Sequence, residues 1–145
     1  MAGVPDAGAP PERPRFVYRR RVAFADTDQA GIVHFSVYFR YMEEAEHALW
    51  RDAGLSIAPP GASYGFPRVS ASFEYRQPLR FEDEFEVRLH IDHASARSLR
   101  YRAEVWRGAD RIGTGTMVMA SVSKAADGTM KAVAFPEHVR RALGI

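Results

Sequence analysis

Cysteine is absent from this 145-residue chain. Its absence excludes disulfide bonds, thiolate-bound zinc and a cysteine nucleophile, and it is consistent with a reducing cytoplasm, which is the predicted location. Lysine is scarce as well, since Lys124 and Lys131 are the only lysines among 20 lysine and arginine residues. Arginine binds phosphate through two parallel hydrogen bonds, so this bias would suit a phosphorylated ligand, although a codon bias of the source genome explains it more simply.

Long apolar runs and a strong net charge are also missing. No stretch approaches the roughly 18–20 apolar residues that a membrane-spanning helix needs, and a formal charge of +2 does not make nucleic acid the default partner. The N-terminus lacks the charged start and apolar stretch of a secretory signal. It is rich in Ala, Gly and Pro, so residues 1–14 are predicted to form a flexible leader and residues 15–145 a single domain. With 46% hydrophobic residues the chain can build a core.

The hydrophobic pattern predicts one strand, one long helix and then several strands. Residues 15–25 alternate apolar side chains on one face, as a strand does, but Arg20 interrupts that face and indicates a strand near an edge or an interface. From about Val33 to Ala53 the apolar residues recur every three or four positions, as in a helix, and Gly54 is a plausible C-cap. The later pattern predicts strands at 68–75, 84–93, 99–107, 111–123 and 130–134, hairpin turns at 108–110 and 126–128, and a short helix at 136–143.

This order of elements predicts an α+β domain in which a mostly antiparallel sheet packs against one helix. A single helix covers only one face of such a sheet. The other face is therefore expected to be solvated or covered by a second chain.

The stretch from Phe24 to Ala48, FADTDQAGIVHFSVYFRYMEEAEHA, carries the strongest chemical signal. Asp26 and Asp28 lie in a loop that turns at Gly31 and leads into the predicted helix. A helix N-terminus offers unpaired amides that stabilise a developing oxyanion, and a carboxylate in the preceding loop can act on the same carbonyl. Together they are the minimum for acyl transfer. An aspartate before a helix is more commonly a cap, and the spacing alone leaves that alternative open.

The same stretch resembles a known family. The run D-T-D-Q-A-G-I-V, followed by Y-F-x-Y and E-E-A, is similar to the signature of the 4-hydroxybenzoyl-CoA thioesterase family, and the order of elements over residues 15–135 is similar too. The resemblance implies a hot-dog fold, in which an antiparallel sheet of five or six strands wraps around one long central helix. It also implies hydrolysis of an acyl-CoA to a carboxylic acid and CoA, without metal or redox cofactor, by a homodimer or a dimer of dimers.

Carried over residue by residue, the resemblance assigns Asp28 as nucleophile or general base, and the sequence does not separate these routes. The backbone N–H of His34 would polarise the thioester carbonyl, and Gly31 would let the backbone approach the substrate. Phe35 and Tyr38 would line the acyl pocket.

Two departures from the family pattern limit this transfer. One branch of the family has an aromatic residue before the histidine, whereas here His34 precedes Phe35. Val37 replaces an asparagine that many relatives carry. The side-chain role of His34 and the preferred acyl chain are therefore left open, and Asp26 matches a more structural acidic position.

The resemblance also implies where the nucleotide end of CoA binds. The segment 93–98 matches a connection between strands that handles CoA phosphates, and Arg97 and Ser98 match basic and hydroxyl positions there. Arg100 is a weaker candidate. A solvated loop arginine explains Arg97 and Arg100 equally well.

Other patterns are weaker. Residues 61–65 satisfy G-x-S-x-G but lack the preceding strand and following helix of a nucleophile elbow, so they are predicted to form a flexible loop over the pocket. The five histidines show no metal-ligand spacing, and no metal site is predicted. A hot-dog enoyl-CoA hydratase or dehydratase, which would use an Asp–His pair, remains the alternative enzyme. A non-catalytic acyl-CoA-binding module is the other alternative, which Asp28 disfavours.

Overall fold

The computed structural model describes residues 12–145. Most of the predicted leader, residues 1–11, lies outside the described residues, and residues 12–14 have no regular secondary structure. None of the helices from residue 12 onward is long and apolar enough to cross a membrane. The elements are β1 (Phe16–Arg21), a 3-10 turn (Phe24–Asp26), α1 (Val37–Asp52), β2 (Tyr64–Gly65), β3 (Arg68–Tyr75), β4 (Glu84–Ala94), β5 (Ser98–Arg107), β6 (Asp110–Ala120), β7 (Val122–Lys124), β8 (Met130–Ala132) and α2 (Glu137–Leu143).

Five strands form the main sheet in the order β1-β4-β5-β6-β3, and all neighbours are antiparallel. The core lies between this sheet and α1, because alternate residues of β4, β5 and β6 and one stripe of α1 are buried. The architecture of one helix against one antiparallel sheet was predicted from the sequence. Strands β2, β7 and β8 form a separate small sheet, which the sequence did not indicate.

Two glycines in β6 allow the edge strand and the helix to approach the sheet closely. A Cβ atom at Gly113 would lie 2.4 Å from the Phe73 ring and 2.6 Å from the Glu74 carbonyl oxygen. One at Gly115 would lie 2.3 Å from Sδ of Met42 in α1. Side chains at either position would therefore separate β3 or α1 from the sheet.

The boundaries differ from the prediction at two places that matter for the site. Strand β1 ends at Arg21 instead of continuing to residue 25, and α1 begins at Val37, one turn later than predicted. Between them the chain forms a hydrogen-bonded loop, in which Thr27 bridges Val33 and the Val33 N–H donates to the Leu79 carbonyl at 2.8 Å. Val33 is buried and Ile32 half-buried in this loop, which is not helical.

The predicted strand at 111–123 is in fact two strands. It breaks at Ser121, which is fully buried, so that β7 leaves the main sheet and joins β8 in the small one. The strand predicted at 130–134 ends at Ala132. Strands β3, β4 and β5, the helix α2 and both hairpin turns agree with the prediction, and Gly108 and Gly128 have the positive φ that these turns require.

Candidate active site

The loop that carries Asp28 is fixed by its own backbone. The Asp28 N–H donates to the Ile32 carbonyl and the Gly31 N–H donates to the Asp28 carbonyl, each at 2.9 Å. Gly31 has a φ of +80°, a left-handed conformation that glycine adopts without strain. Glycine is therefore required here by the turn itself.

Asp28 has one anchored and one free carboxylate oxygen. Oδ1 accepts a hydrogen bond from the Ala30 N–H at 2.9 Å, whereas Oδ2 has no hydrogen-bond partner among residues 12–145. The half-buried side chain lines a cavity of about 420 Å³. The other lining residues come from the loop, the start of α1 and the end of β3: Ile32, Val33, Phe35, Tyr38, Tyr75, Arg76, Gln77 and Pro78.

The amide predicted to polarise the substrate carbonyl already has a hydrogen-bond partner. The His34 N–H donates to the Asp26 carbonyl at 3.0 Å, so it is already used within the loop. The prediction that it polarises a substrate carbonyl placed it at a helix start, but α1 begins three residues later at Val37. The Phe35 N–H, by contrast, has no acceptor between residues 12 and 145, and Phe35 lines the cavity. We therefore replace His34 by Phe35 as the candidate oxyanion donor.

The His34 side chain also turns away from Asp28. Its Nδ1 accepts from the Ser36 N–H at 3.3 Å and lies 2.7 Å from the Ser36 hydroxyl. Nδ1 is thus an acceptor, so the proton of the neutral ring is on Nε2. The ring packs against Phe35 at 4.4 Å between centroids and does not line the cavity. No Asp28–His34 pair forms.

Asp26 is the buried anchor of the loop. Its side chain is 3% exposed, and Oδ2 accepts hydrogen bonds from Arg20 at 2.5 Å, the Tyr41 hydroxyl at 2.8 Å and the Ala23 N–H at 2.9 Å. Burial by itself would raise the pKa of Asp26, but these bonds outweigh it and hold the pKa below its usual range. Since the Asp26 carbonyl also accepts from His34, this one residue ties β1, α1 and the turn before α1 together.

Arg20, which interrupts the apolar face of β1, is the cation that pairs with the buried Asp26. Its guanidinium lies over the Tyr41 ring at 4.7 Å and also binds Glu44 at 2.8 Å. Burial lowers the pKa of Arg20, but the bonds to Asp26 and Glu44 more than compensate, so it stays charged. The sequence indicated an edge or an interface, and β1 is an edge strand, but the buried partner of Arg20 was not foreseen.

Arg97 and Ser98 do not lie near Asp28 within one chain. They are at the start of β5, whereas the other end of β5 contacts the cavity wall through the Arg107–Pro78 hydrogen bond of 3.1 Å. Ten residues of strand separate these ends by roughly 30 Å. The Ser98 hydroxyl lies 2.8 Å from that of Ser95.

The predicted loop over the pocket is at that far end as well. Its last residues form β2, which pairs with β7, and Tyr64 lies 3.4 Å from His138 of α2. None of residues 61–65 lines the Asp28 cavity, so that prediction is wrong within one chain.

Sequence reasoning missed the wall of the cavity that β3 supplies. Tyr75 is the last residue of this strand, Arg76 and Gln77 follow it directly, and all three are exposed. Their sequence contains no signal of function, because their place beside Asp28 depends on the packing of β3 against α1. Among the described residues no group of three or more His, Asp or Glu side chains could hold a metal ion.

Comparison with known proteins gives consistent matches. The family model described as the thioesterase-like superfamily matches residues 22–143. A putative esterase of Aquifex aeolicus is 40% identical over 90 residues, and a 1,4-dihydroxy-2-naphthoyl-CoA hydrolase of Synechocystis is 34% identical over 83 residues. These alignments cover 55% and 56% of this chain but only 63% and 60% of the two relatives.

Solved structures match over more of the chain. A hypothetical protein from Aquifex aeolicus has a TM-score of 0.81 at 32% identity, covering 88% of this chain and 98% of that one. A 1,4-dihydroxy-2-naphthoyl-CoA thioesterase from Synechocystis has a TM-score of 0.82 at 25% identity, covering 89% and 95%. A gentisyl-coenzyme A thioesterase has a TM-score of 0.76 at 28% identity, covering 88% and 98%. Together with the sheet order, these matches confirm the predicted hot-dog fold.

Proposed function

Because the chain belongs to the thioesterase-like superfamily, we propose that it hydrolyses an acyl-CoA thioester to a carboxylic acid and CoA. The observation that carries this proposal is that Asp28, which has a free Oδ2, and Phe35, which has an unpartnered N–H, line the same cavity. The first group can act as a base or nucleophile, and the second can donate to an oxyanion. These are the two groups that acyl transfer requires.

Asp28 acts in one of two ways. As a general base it takes a proton from water while the water oxygen attacks the thioester carbonyl carbon. The Phe35 N–H stabilises the charge that develops on the carbonyl oxygen. When the intermediate collapses, the C–S bond breaks and the CoA thiolate leaves and takes up a proton. As a nucleophile, Oδ2 attacks the same carbon, the C–S bond breaks and the CoA thiolate leaves and takes up a proton. Water then attacks the aspartyl carbonyl carbon of the mixed anhydride, which releases the carboxylic acid and restores Asp28. A single turnover in H2(18)O that labels Asp28 itself would identify the second route.

An aromatic acyl group fits the proposed pocket. Its walls include Phe35, Tyr38 and Tyr75, and the rings of Tyr38 and Tyr75 meet edge to face at 5.4 Å. Aromatic side chains contact a further ring favourably in edge-to-face or offset arrangements. The relatives named for 1,4-dihydroxy-2-naphthoyl-CoA and gentisyl-coenzyme A support the same substrate class. The 4-hydroxybenzoyl group, which occurs in the name of the family that the sequence resembles, belongs to this class.

We propose that the active form is a homodimer joined through β3. This strand is an outer edge of the main sheet, and most of its side chains are exposed, with Val69 at 61%. Unpaired edge strands readily pair with a second copy. Antiparallel pairing of two β3 strands would bring the Arg97 end of one sheet beside the Asp28 end of the other. That arrangement would supply the phosphate-binding groups that Asp28 lacks within its own chain.

The test is CoA release from a panel of aromatic, short-chain and long-chain acyl-CoAs. A thiol-trapping assay suits a protein without cysteine, because the enzyme adds no background. We expect turnover of at least one aromatic thioester and about a hundredfold loss of kcat in Asp28→Asn. Asp52→Asn, at the exposed end of α1, is the matched control and should retain full activity.

Two results would count against the proposal. If no acyl-CoA is cleaved, the assignment as a thioesterase is wrong. If Asp28→Asn matches the wild type, the assignment of Asp28 as the catalytic carboxylate is wrong. Hydration of an enoyl-CoA would then favour the hydratase, although His34 does not pair with Asp28. Binding of CoA without turnover would favour the non-catalytic module.

A further inference from the structure

The last residue of β3 is tied to the turn that carries the Phe35 amide. The Tyr75 hydroxyl donates a hydrogen bond to the Phe35 carbonyl at 2.7 Å. The Tyr75 ring is 48% exposed and packs against Phe73 at 4.8 Å and Tyr38 at 5.4 Å. These contacts fix the direction of the ring, so its hydroxyl can hold one backbone group in place.

The Phe35 carbonyl has no other donor among the described residues. Its neighbours in the turn are held from within: the Val37 N–H donates to the His34 carbonyl at 2.9 Å, and the Ser36 N–H donates to His34 Nδ1. The Phe39 N–H, which would reach Phe35 if α1 began earlier, donates to Ser36 instead. The hydrogen bond from the Tyr75 hydroxyl is therefore the contact that holds the Phe35 carbonyl against the sheet.

The orientation of the Phe35 amide depends on this contact. The N–H and C=O of one residue are separated only by its φ and ψ rotations, so fixing the carbonyl restricts the direction of the amide. An oxyanion donor contributes fully only when it is aimed in advance at the position where the charge develops. A free carbonyl would let the turn rotate, and the amide would lose part of that alignment.

We propose that Tyr75 is a positioning residue that aims the Phe35 N–H at the carbonyl oxygen of the substrate. The inference rests on the proposed thioesterase function and deepens it. Burial raises the pKa of Tyr75, so the phenol stays protonated and remains a donor throughout the neutral range. Tyr75 acts through the backbone of Phe35 and takes no proton from the reacting groups.

The first experiment compares Tyr75→Phe with Ser72→Ala. Tyr75→Phe removes one oxygen atom from a half-exposed side chain and retains the ring contacts. Ser72→Ala also removes one hydroxyl hydrogen bond, the 2.7 Å contact with Thr116, from the same strand but on the opposite face of the sheet. We expect kcat to fall about tenfold in Tyr75→Phe with KM within about twofold of the wild type, because full removal of an oxyanion donor costs about a hundredfold or more. Ser72→Ala should match the wild type in both.

The second experiment measures the polarisation of the substrate directly. A carbonyl-(13)C thioester of whichever substrate the wild type cleaves is bound to Asp28→Asn, and its C=O stretch is recorded by isotope-edited infrared spectroscopy. The frequency should lie below that of the free thioester. In Asp28→Asn/Tyr75→Phe the band should move back toward the free value. Size-exclusion chromatography and circular dichroism establish that each variant keeps its fold and assembly.

The outcomes separate the two proposals. Three results would each refute the positioning role without affecting the proposed thioesterase activity: an unchanged kcat in Tyr75→Phe, a rise in KM alone, or a lower kcat with an unchanged carbonyl frequency. If the wild type cleaves no thioester, the proposed function fails first and the role of Tyr75 fails with it.

Discussion

Asp26→Asn should destabilise the protein although it changes only one atom of the side chain. The variant removes the charge that holds Arg20 but leaves a side chain of the same shape. Breaking a buried ion pair by removing one partner costs about 3–5 kcal/mol. Arg20 keeps Glu44 at 2.8 Å, and an asparagine oxygen can still accept from Tyr41 or Ala23. We therefore expect a loss at or just below the lower limit of this range, about 2–3 kcal/mol in the free energy of unfolding.

The assay is urea unfolding followed by the fluorescence of Trp50 and Trp106, at one protein concentration because an oligomer gains stability by mass action. Glu84→Gln is the control, since Glu84 pairs with Arg21 at 2.5 Å but both side chains are largely exposed. It should be indistinguishable from the wild type. If Asp26→Asn loses less than about 0.5 kcal/mol, as surface substitutions do, Asp26 does not hold the loop.

Three further outcomes are expected. Ala71→Glu, at an exposed position in β3, should convert the dimer to monomers in light scattering and abolish turnover, whereas an active monomer would contradict the shared site. Gly113→Ala should cost about 1–3 kcal/mol in urea unfolding because its Cβ would meet the Glu74 carbonyl, and no loss would mean that β3 shifts freely. The pKa of Asp26 lies below its ordinary value of 3.8, so its stabilisation is complete above pH 3.8 and is lost as the pH falls through the lower folded value. In acid unfolding the gap between wild type and Asp26→Asn should therefore narrow below pH 3.8, and a constant gap would contradict this.

Local periodicity was enough to predict α1, β4 and β5, because the packing of the sheet against the helix buries one stripe of α1 and alternate residues of these strands. It misplaced the start of α1 because buried loop residues such as Val33 have the same apolar character as helix residues. It also missed the break at Ser121, since nothing in the alternation of residues 111–123 marks a change of sheet.

Only the part of the candidate site that is local in sequence could be predicted. The spacing of acid and glycine identified the Asp28 loop, which is formed by neighbours in sequence. The His34 N–H was the predicted donor, and its hydrogen bond to Asp26 could not be foreseen because that bond depends on the loop's three-dimensional path. The partners of Arg20 and the contact of Tyr75 join residues distant in sequence, and residue types alone do not reveal them.

The distance between Asp28 and Arg97 has a genetic consequence in a dimer with a shared site. Asp28→Asn chains alone, or Arg97→Ala chains alone, would form homodimers in which both active sites are impaired. In a heterodimer of the two variants, one active site carries both substitutions and the other carries neither. Two defective alleles expressed in one cell would therefore restore activity that neither provides alone, whereas two alleles altered at the same end of the sheet would not.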